Sequence, residues 1–340
     1  KSPYRKVISH GWVVDGEGKK MSKSLGNVIL PEEVINSYGA DILRLWVSSA
    51  DFTSDIHISK DILKQLSEVY RKIRNTCRFL LGNCYDFDPA RDSVEYRSLA
   101  ELDRWALFRL NQLIEKITGY YEHHEYHQVF HALHNFCVTD LSNVYLDIIK
   151  DRLYCSAAGN LERRSAQTVL AIVLKNITLL MAPILTFTAE EIWQFLPKRA
   201  YPTVQIADWP EPTAQWADTE LGKRWEVLLK VREEVTWVLE QYRQKKLIGG
   251  SLEASVDLWV EESFYQSLAD YEDQLATIFI VSGLSLHRGF HTAPDEAITG
   301  QQCPVKIAVR KAPGHKCPRC WMFTESKQEL CSRCQQVIAV

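Results

Sequence analysis

With 340 residues, 46% of them apolar, the chain is too long for one ordinary hydrophobic core and too apolar for a disordered segment, so two or more domains are expected. Its 40 Lys and Arg stand against 43 Asp and Glu, a formal charge of −3 that excludes a uniformly basic nucleic-acid coat and leaves RNA contact to local cation clusters. No stretch approaches the roughly 20 apolar residues of a membrane helix, and Lys1-Ser2-Pro3-Tyr4-Arg5 lacks the apolar core of a signal peptide, so a soluble, cytoplasmic protein with reduced thiols is expected. The chain opens on Lys1 instead of Met, and a start inside a longer polypeptide is expected.

Val7, Ser9, Trp12 and Val14 alternate loosely before the Asp15-Gly16 turn signal, and a charged run follows to Asn27, predicting a mobile loop on a hairpin. Pro31 suits the first position of a short helix over 32–38, stopped by Gly39, and a second helix begins near Ala40. After Ser59 as an N-cap, Ile62, Leu66, Val69, Ile73, Cys77 and Leu80 recur at helical spacing until Gly82. The same period runs through Leu102, Ala106, Leu110, Leu113, Ile117 and Tyr120, and again through Phe130, Leu133, Cys137, Leu141, Val144 and Ile148. A fourth helix is expected over about 162–181, ahead of Pro183, and Thr188 with Glu191 reads as a capping box for a short helix around Ile192 and Trp193. These elements predict a helical bundle.

Three prolines within 201–212 predict a linker. A further helix over roughly 219–246 leads to Gly249-Gly250. Beyond it Leu252, Ala254, Val256, Leu258 and Val260 alternate with Glu253, Ser255, Asp257 and Trp259, as in a half-buried strand, and Val305, Ile307 and Val309 alternate with Lys306 and Arg310. The fold class expected is mainly α, a helical bundle followed by a small α/β unit and a cysteine module. The division expected is 1–60, 61–205, 206–312 and 313–340. No internal repeat or low-complexity segment interrupts it.

Cys317-Pro318-Arg319-Cys320 and Cys331-Ser332-Arg333-Cys334, ten residues apart, are two C-x-x-C knuckles. Each turn sets two sulfurs on one side, and four thiolates close a tetrahedral shell, so a structural Zn2+ is expected at Cys317, Cys320, Cys331 and Cys334. A tail this short cannot bury a stable core without such an ion. Lys311, Lys316, Arg319, Lys327 and Arg333 surround the knuckles with Trp321 and Phe323 interleaved, a composition suited to single-stranded RNA. Trp321 is equally readable as the module's own miniature core. The other five cysteines, Cys77, Cys84, Cys137, Cys155 and Cys303, have no ligand spacing.

The loop Gly18-Lys19-Lys20-Met21-Ser22-Lys23-Ser24-Leu25-Gly26-Asn27 joins flexible glycines to hydroxyls and ammonium groups. By composition it reads either as solvated surface or as a clamp for a polyphosphate. Its string Lys20-Met21-Ser22-Lys23-Ser24 matches the KMSKS signature of class I aminoacyl-tRNA synthetases. The resemblance continues through Gly39-Ala40-Asp41-Ile42-Leu43-Arg44-Leu45-Trp46, through Leu102-Asp103-Arg104-Trp105 and through Tyr145-Leu146-Asp147-Ile148-Ile149-Lys150-Asp151-Arg152, and it reaches the cysteine module. With that module the chain resembles the C-terminal half of the bacterial isoleucyl branch. Valyl relatives typically end in a coiled coil, and no sustained heptad is present here.

What the resemblance implies is an ATP-dependent ligase that joins isoleucine to its tRNA through an aminoacyl-adenylate, with ATP held together with Mg2+ and a mostly monomeric protein. Lys20, Met21, Ser22, Lys23 and Ser24 would hold the ATP phosphates, with Lys23 and Lys20 as the catalytic pair. No HIGH-type motif accompanies them, so these 340 residues alone are not expected to activate isoleucine. Two other readings stay open: a free-standing tRNA-binding or regulatory paralogue, and a valyl or leucyl relative.

Arg71, Arg74 and Arg78 form a basic helical stripe that, given the resemblance to an anticodon-binding bundle, is expected to meet tRNA phosphates alongside Arg319, Trp321 and Arg333. The run His123-His124-Glu125-Tyr126-His127 fails the H-E-x-x-H metalloprotease pattern, because Gln128 stands where the second histidine belongs. His127, His131 and His134 share a helical face and are read as solvated or core-edge histidines.

Overall fold

Helix signals in the sequence are mostly realised in the computed structural model, which describes residues 2–196, 198–326 and 328–339. Pro31 opens the helix Pro31–Tyr38, and Gly39 (φ 92°, ψ 157°) separates it from Ala40–Ser49. Ser59 accepts from the Ile62 N–H at 3.2 Å and caps Lys60–Gly82. Further helices follow at Glu101–Glu122, Tyr126–Asn135, Leu146–Cys155, Leu161–Met181, Thr186–Phe195 and Thr219–Gln244. Between Tyr126–Asn135 and Leu146–Cys155 the backbone widens into a π-helix over Phe136–Tyr145. There the Cys137 carbonyl accepts from the Ser142 hydroxyl at 2.8 Å and from the Thr76 hydroxyl at 3.4 Å. No helix among the described residues is long and apolar enough to cross a membrane.

The chain divides into two compact units, one reaching Tyr145 and adding Arg164–Ala217, the other made of Leu146–Arg163 with the chain from Asp218 onward. The first unit is a bundle whose core holds Leu63, Ile73 and Leu80 from one helix, Leu107, Leu110, Ile114 and Ile117 from another, and Trp193. Each such side chain contributes about 1.5–3 kcal/mol by leaving water. Strand β1 (Val13–Asp15) pairs in parallel with β2 (Ile56–Ile58), and the expected hairpin is reduced to a single antiparallel bridge between Val14 and Lys20. The 201–212 segment is docked: the Trp209 indole donates to the Thr118 hydroxyl at 2.8 Å and meets the Tyr121 ring edge-on at 5.4 Å.

Thr188 does not cap the helix Thr186–Phe195, because it lies inside that helix and Leu185 holds the cap position without a side-chain bond. Asp41, distant in sequence, takes that role. Its carboxylate accepts from the Phe187 N–H at 3.2 Å, the Thr188 N–H at 2.7 Å and the Thr188 hydroxyl at 2.5 Å. Arg44, one turn on, donates to the Pro183 and Ile184 carbonyls at 2.6 and 2.9 Å. Asp41→Ala strands three donors at a buried junction and is expected to cost about 2–3 kcal/mol, measurable as a lowered denaturation midpoint, with Asp41→Asn intermediate.

In the second unit a four-stranded sheet has the order β4-β3-β6-β5, with β3 (Ala254–Val260), β4 (Gly283–Arg288), β5 (Ile298–Thr299) and β6 (Val305–Lys311). β3 is parallel to β4 and antiparallel to β6, and β5 is antiparallel to β6. The alternation in β3 predicted one wet face, yet Ser255 and Trp259 are buried too, because this central strand is covered on both sides. Thr219–Gln244 packs along β6 with Trp225, Leu228, Val231 and Val235 in the core.

Candidate functional site

The first knuckle sits in a hairpin turn. β7 (His315–Lys316) pairs antiparallel with β8 (Phe323–Thr324), and Cys317 and Cys320 lie between them. The Trp321 N–H donates to the Cys317 carbonyl and the Cys317 N–H to the Met322 carbonyl, both at 2.9 Å. Gly314 (φ 86°) is required there, since a Cβ would fall 2.1 Å from the Thr324 carbonyl oxygen. The second knuckle opens the helix Ser332–Ile338, with Cys331 at its cap position and Cys334 in its first turn.

The four sulfurs lie within 4.8 Å of one another, and the Cys320 and Cys331 sulfurs are 3.7 Å apart. Tetrahedral Zn–S bonds of about 2.3 Å place sulfurs about 3.8 Å apart, so the set fits that ion. Burial pushes the Cys317 thiol up, but the N–H groups of Cys320, Cys331 and Arg319 outweigh it and draw the thiol down to about 6. Among the described residues no other trio of His, Cys, Asp or Glu brings ligand atoms together. His131 and His134 instead meet the Phe130 ring, edge-on at 5.1 Å and stacked at 6.3 Å.

Around the sulfurs, Met322 and Leu330 pack inward while Trp321 is 59% exposed at φ 64°, a conformation rare for a bulky residue. The Lys316 ammonium lies 5.2 Å from the Trp321 ring centroid. Arg319 donates to the Cys155 carbonyl at 2.6 Å and to the Cys334 sulfur at 3.6 Å. Both arms of Arg333 grip Asp151, at 2.5 and 2.7 Å. Cys155, a further buried thiol beside the cluster, is pushed up to about 11 chiefly by burial. Neither Cys155 nor Asp151 carried any spacing signal in the sequence. Lys327 lies outside the described residues.

In the lysine loop, Ser22 caps a single 3₁₀ turn, Lys23–Leu25, by accepting from the Leu25 N–H at 3.3 Å, and Gly26 (φ 66°) ends it. Lys19 is spent on Glu17 at 2.6 Å, whereas among the described residues neither Lys20 nor Lys23 has a carboxylate within ion-pairing distance. Asp15 accepts from the Glu17 N–H, the Lys19 N–H and the Asn27 amide at 3.0, 2.8 and 2.8 Å. These bonds, the Asn27 bond foremost, hold the Asp15 carboxyl below its ordinary value of 3.8. A depressed carboxyl stabilises the loop fully above the ordinary value and loses that contribution as pH falls through the folded one. The Asn27 side-chain amide resonance is therefore expected to titrate with a midpoint under 3.8, and a midpoint at or above it would contradict the brace.

The Arg71, Arg74 and Arg78 stripe is partly paired, Arg71 with Glu68 at 2.9 Å and Arg74 with Glu191 at 3.5 Å. Arg74 and Arg78 line a groove of about 320 Å³ with Thr188, Glu191 and Phe195, and the Phe195 ring is 66% exposed. Phe195 carries no signal of this role in the sequence, because its position beside the stripe depends on the packing of two helices.

Two strings that carried the resemblance meet in the bundle core: Asp103 accepts from the Tyr145 hydroxyl at 2.7 Å and from the Ser165 hydroxyl. Residues 103–258 match the anticodon-binding domain of tRNA ligase, and residues 1–59 match the tRNA synthetases class I (I, L, M and V). The chain is 48% identical over 98% of its length to an isoleucine-tRNA ligase of Caldanaerobacter subterraneus, and 49% identical over 99% to that of Desulforudis audaxviator. The isoleucine-tRNA ligase of a Thermoanaerobacter species is 49% identical over 98% of the chain. The chain spans 37% of the length of each of these relatives.

Proposed function

We propose that this chain, which belongs to the isoleucine-tRNA ligases of the class I tRNA-synthetase family, is the part of such a ligase that grips ATP phosphates through Lys20 to Ser24 and binds tRNA. In the whole protein an oxygen of the isoleucine carboxylate attacks the α-phosphorus of ATP, the bond to the bridging oxygen breaks, and pyrophosphate leaves. A hydroxyl of the terminal adenosine of tRNA then attacks the acyl carbon and AMP leaves. Lys23 stabilises charge growing on the phosphates, Lys20 helps hold the loop closed, and Mg2+ accompanies the nucleotide. What supports this reading most is that, among the described residues, neither signature ammonium group has a carboxylate partner, while neighbouring Lys19 is spent on Glu17.

Cys317, Cys320, Cys331 and Cys334 hold one zinc ion, which supplies folding energy to the tail and no reaction chemistry. With Arg319 and Arg333 occupied by protein partners, their part in tRNA binding is to hold the module in place. Trp321 with Lys316, and Arg78 with Phe195, are the groups left to stack on bases and meet phosphates. The functional division proposed is 1–60, 61–205, 206–312 and 313–340, although the helix Leu146–Cys155 packs with the second compact unit.

The test is isoleucine-dependent ATP–pyrophosphate exchange by the full-length protein, with valine and leucine in parallel. Exchange strongest with isoleucine is expected. Exchange strongest with valine or leucine would move the protein to another branch, and no exchange with any of the three would favour a tRNA-binding relative without ligase activity.

A further inference from the structure

We propose that Asn27, anchored by Asp15, is the positioning residue that fixes where Lys23 stands relative to Lys20. The inference rests on the reading of this loop as the ATP-phosphate binder and adds to it a residue outside the five-residue signature.

The loop consists of two short pieces, each closed by its own backbone. In the first, the Asp15 N–H donates to the Lys19 carbonyl at 2.9 Å, the Gly18 N–H to the Asp15 carbonyl at 3.0 Å, and Val14 bridges Lys20. In the second, the Leu25 and Gly26 N–H groups donate to Ser22 and Lys23, both at 3.2 Å. Lys20 ends the first piece and Lys23 rides on the second.

A single side chain ties the pieces together. The Asn27 amide nitrogen donates to the Asp15 carboxylate at 2.8 Å and to the Lys20 carbonyl at 3.3 Å, while its oxygen accepts from the Ser22 N–H at 2.9 Å. Ser22 is the cap of the turn that carries Lys23, so the amide pins that turn at its first residue. Asp15 in turn is fixed at the end of β1 and by the Glu17 and Lys19 N–H groups. Gly26 at φ 66° lets the chain reverse so that Asn27 returns beneath the loop it closes. An amide fits this position because it must donate to two oxygens and accept from one N–H, which neither a carboxylate nor an aliphatic side chain can do.

The experiment compares ATP–pyrophosphate exchange by the full-length protein with Asn27→Ala, Asn27→Asp, Asp15→Asn, the swap D15N/N27D, and Lys23→Ala as a control. Asn27→Ala is expected to lower kcat about tenfold to a hundredfold, the effect of a misplaced group outside the chemistry, with KM for isoleucine unchanged. Asn27→Asp sets two carboxylates against each other and should be worse. The swap restores a donor opposite an acceptor between positions 15 and 27, though not the bond to the Lys20 carbonyl, and should recover about tenfold over Asn27→Asp without reaching the wild-type rate, while general damage to the fold would leave it no better than Asn27→Asp. Wild-type rates in Asn27→Ala, or a swap that recovers nothing, would overturn the inference even with Lys23→Ala impaired. If Lys23→Ala itself exchanges normally, the phosphate-loop reading fails and the inference falls with it.

Discussion

If the full-length protein is the ligase proposed above, Lys23→Ala in it is expected to slow adenylate formation by a factor of several hundred, about 3–4 kcal/mol of transition-state stabilisation, while isoleucine affinity stays within about twofold. The asymmetry follows from what the ammonium meets. Lys23 has no carboxylate partner in the described structure, so its charge is available to phosphates, and phosphate charge redistributes only as pyrophosphate leaves. Lys19 is the internal control. Its ammonium is engaged by Glu17 at 2.6 Å on an exposed surface, so Lys19→Ala should change the rate by no more than about twofold. Pre-steady-state adenylate formation, with isoleucine binding measured separately, checks both. Equal losses in binding and rate for Lys23→Ala would contradict the role assigned to it.

Loss of the metal is expected to unfold the cysteine tail and leave the sheet intact. A structural zinc contributes on the order of 10 kcal/mol or more of folding free energy, whereas the tail's own apolar core is small, Met322 and Leu330 packing against the sulfurs, and its other ties include the bonds of Arg319 and Arg333. Cys331→Ser or prolonged chelation should take zinc from one ion per chain to none and open the tail to protease. The β3–β6 pairing is supported by its own core of Val256, Leu258, Ile307 and the helix Thr219–Gln244, and should stay protected. Cys155→Ser removes a thiol that lies beside the cluster outside the ligand set, so zinc should be retained. Metal analysis with limited proteolysis reads each outcome; a Cys331→Ser protein that keeps one ion and a resistant tail would show that the four sulfurs do not hold it.

The helices were legible because their signals are local. Ser59, Pro31 and Gly82 mark ends where short-range chemistry decides, and the apolar period from Ile62 to Leu80 marks the buried side, with Leu63 buried in place of Ile62 at its start. The clustering of the four cysteines was legible for the same reason, since C-x-x-C is itself a turn. What stayed hidden depends on partners far along the chain. Thr188 and Glu191 have the spacing of a capping box, but Asp41 satisfies the helix start from another helix. Alternation in β3 reads as one wet face until neighbours cover the second. Arg319 and Arg333 read as free cations until Cys155 and Asp151 arrive beside them. The signature string points to the lysines, whereas the amide that joins the two halves of their loop lies just beyond it.

The measurement that tests the account most directly is binding of this chain to isoleucine tRNA, with a valine tRNA control, at two salt concentrations and with or without a zinc chelator. The account predicts preference for isoleucine tRNA, weaker binding at higher salt as phosphate contacts are lost, and loss of the preference on chelation. Equal binding of both tRNAs, with zinc retained, would contradict it.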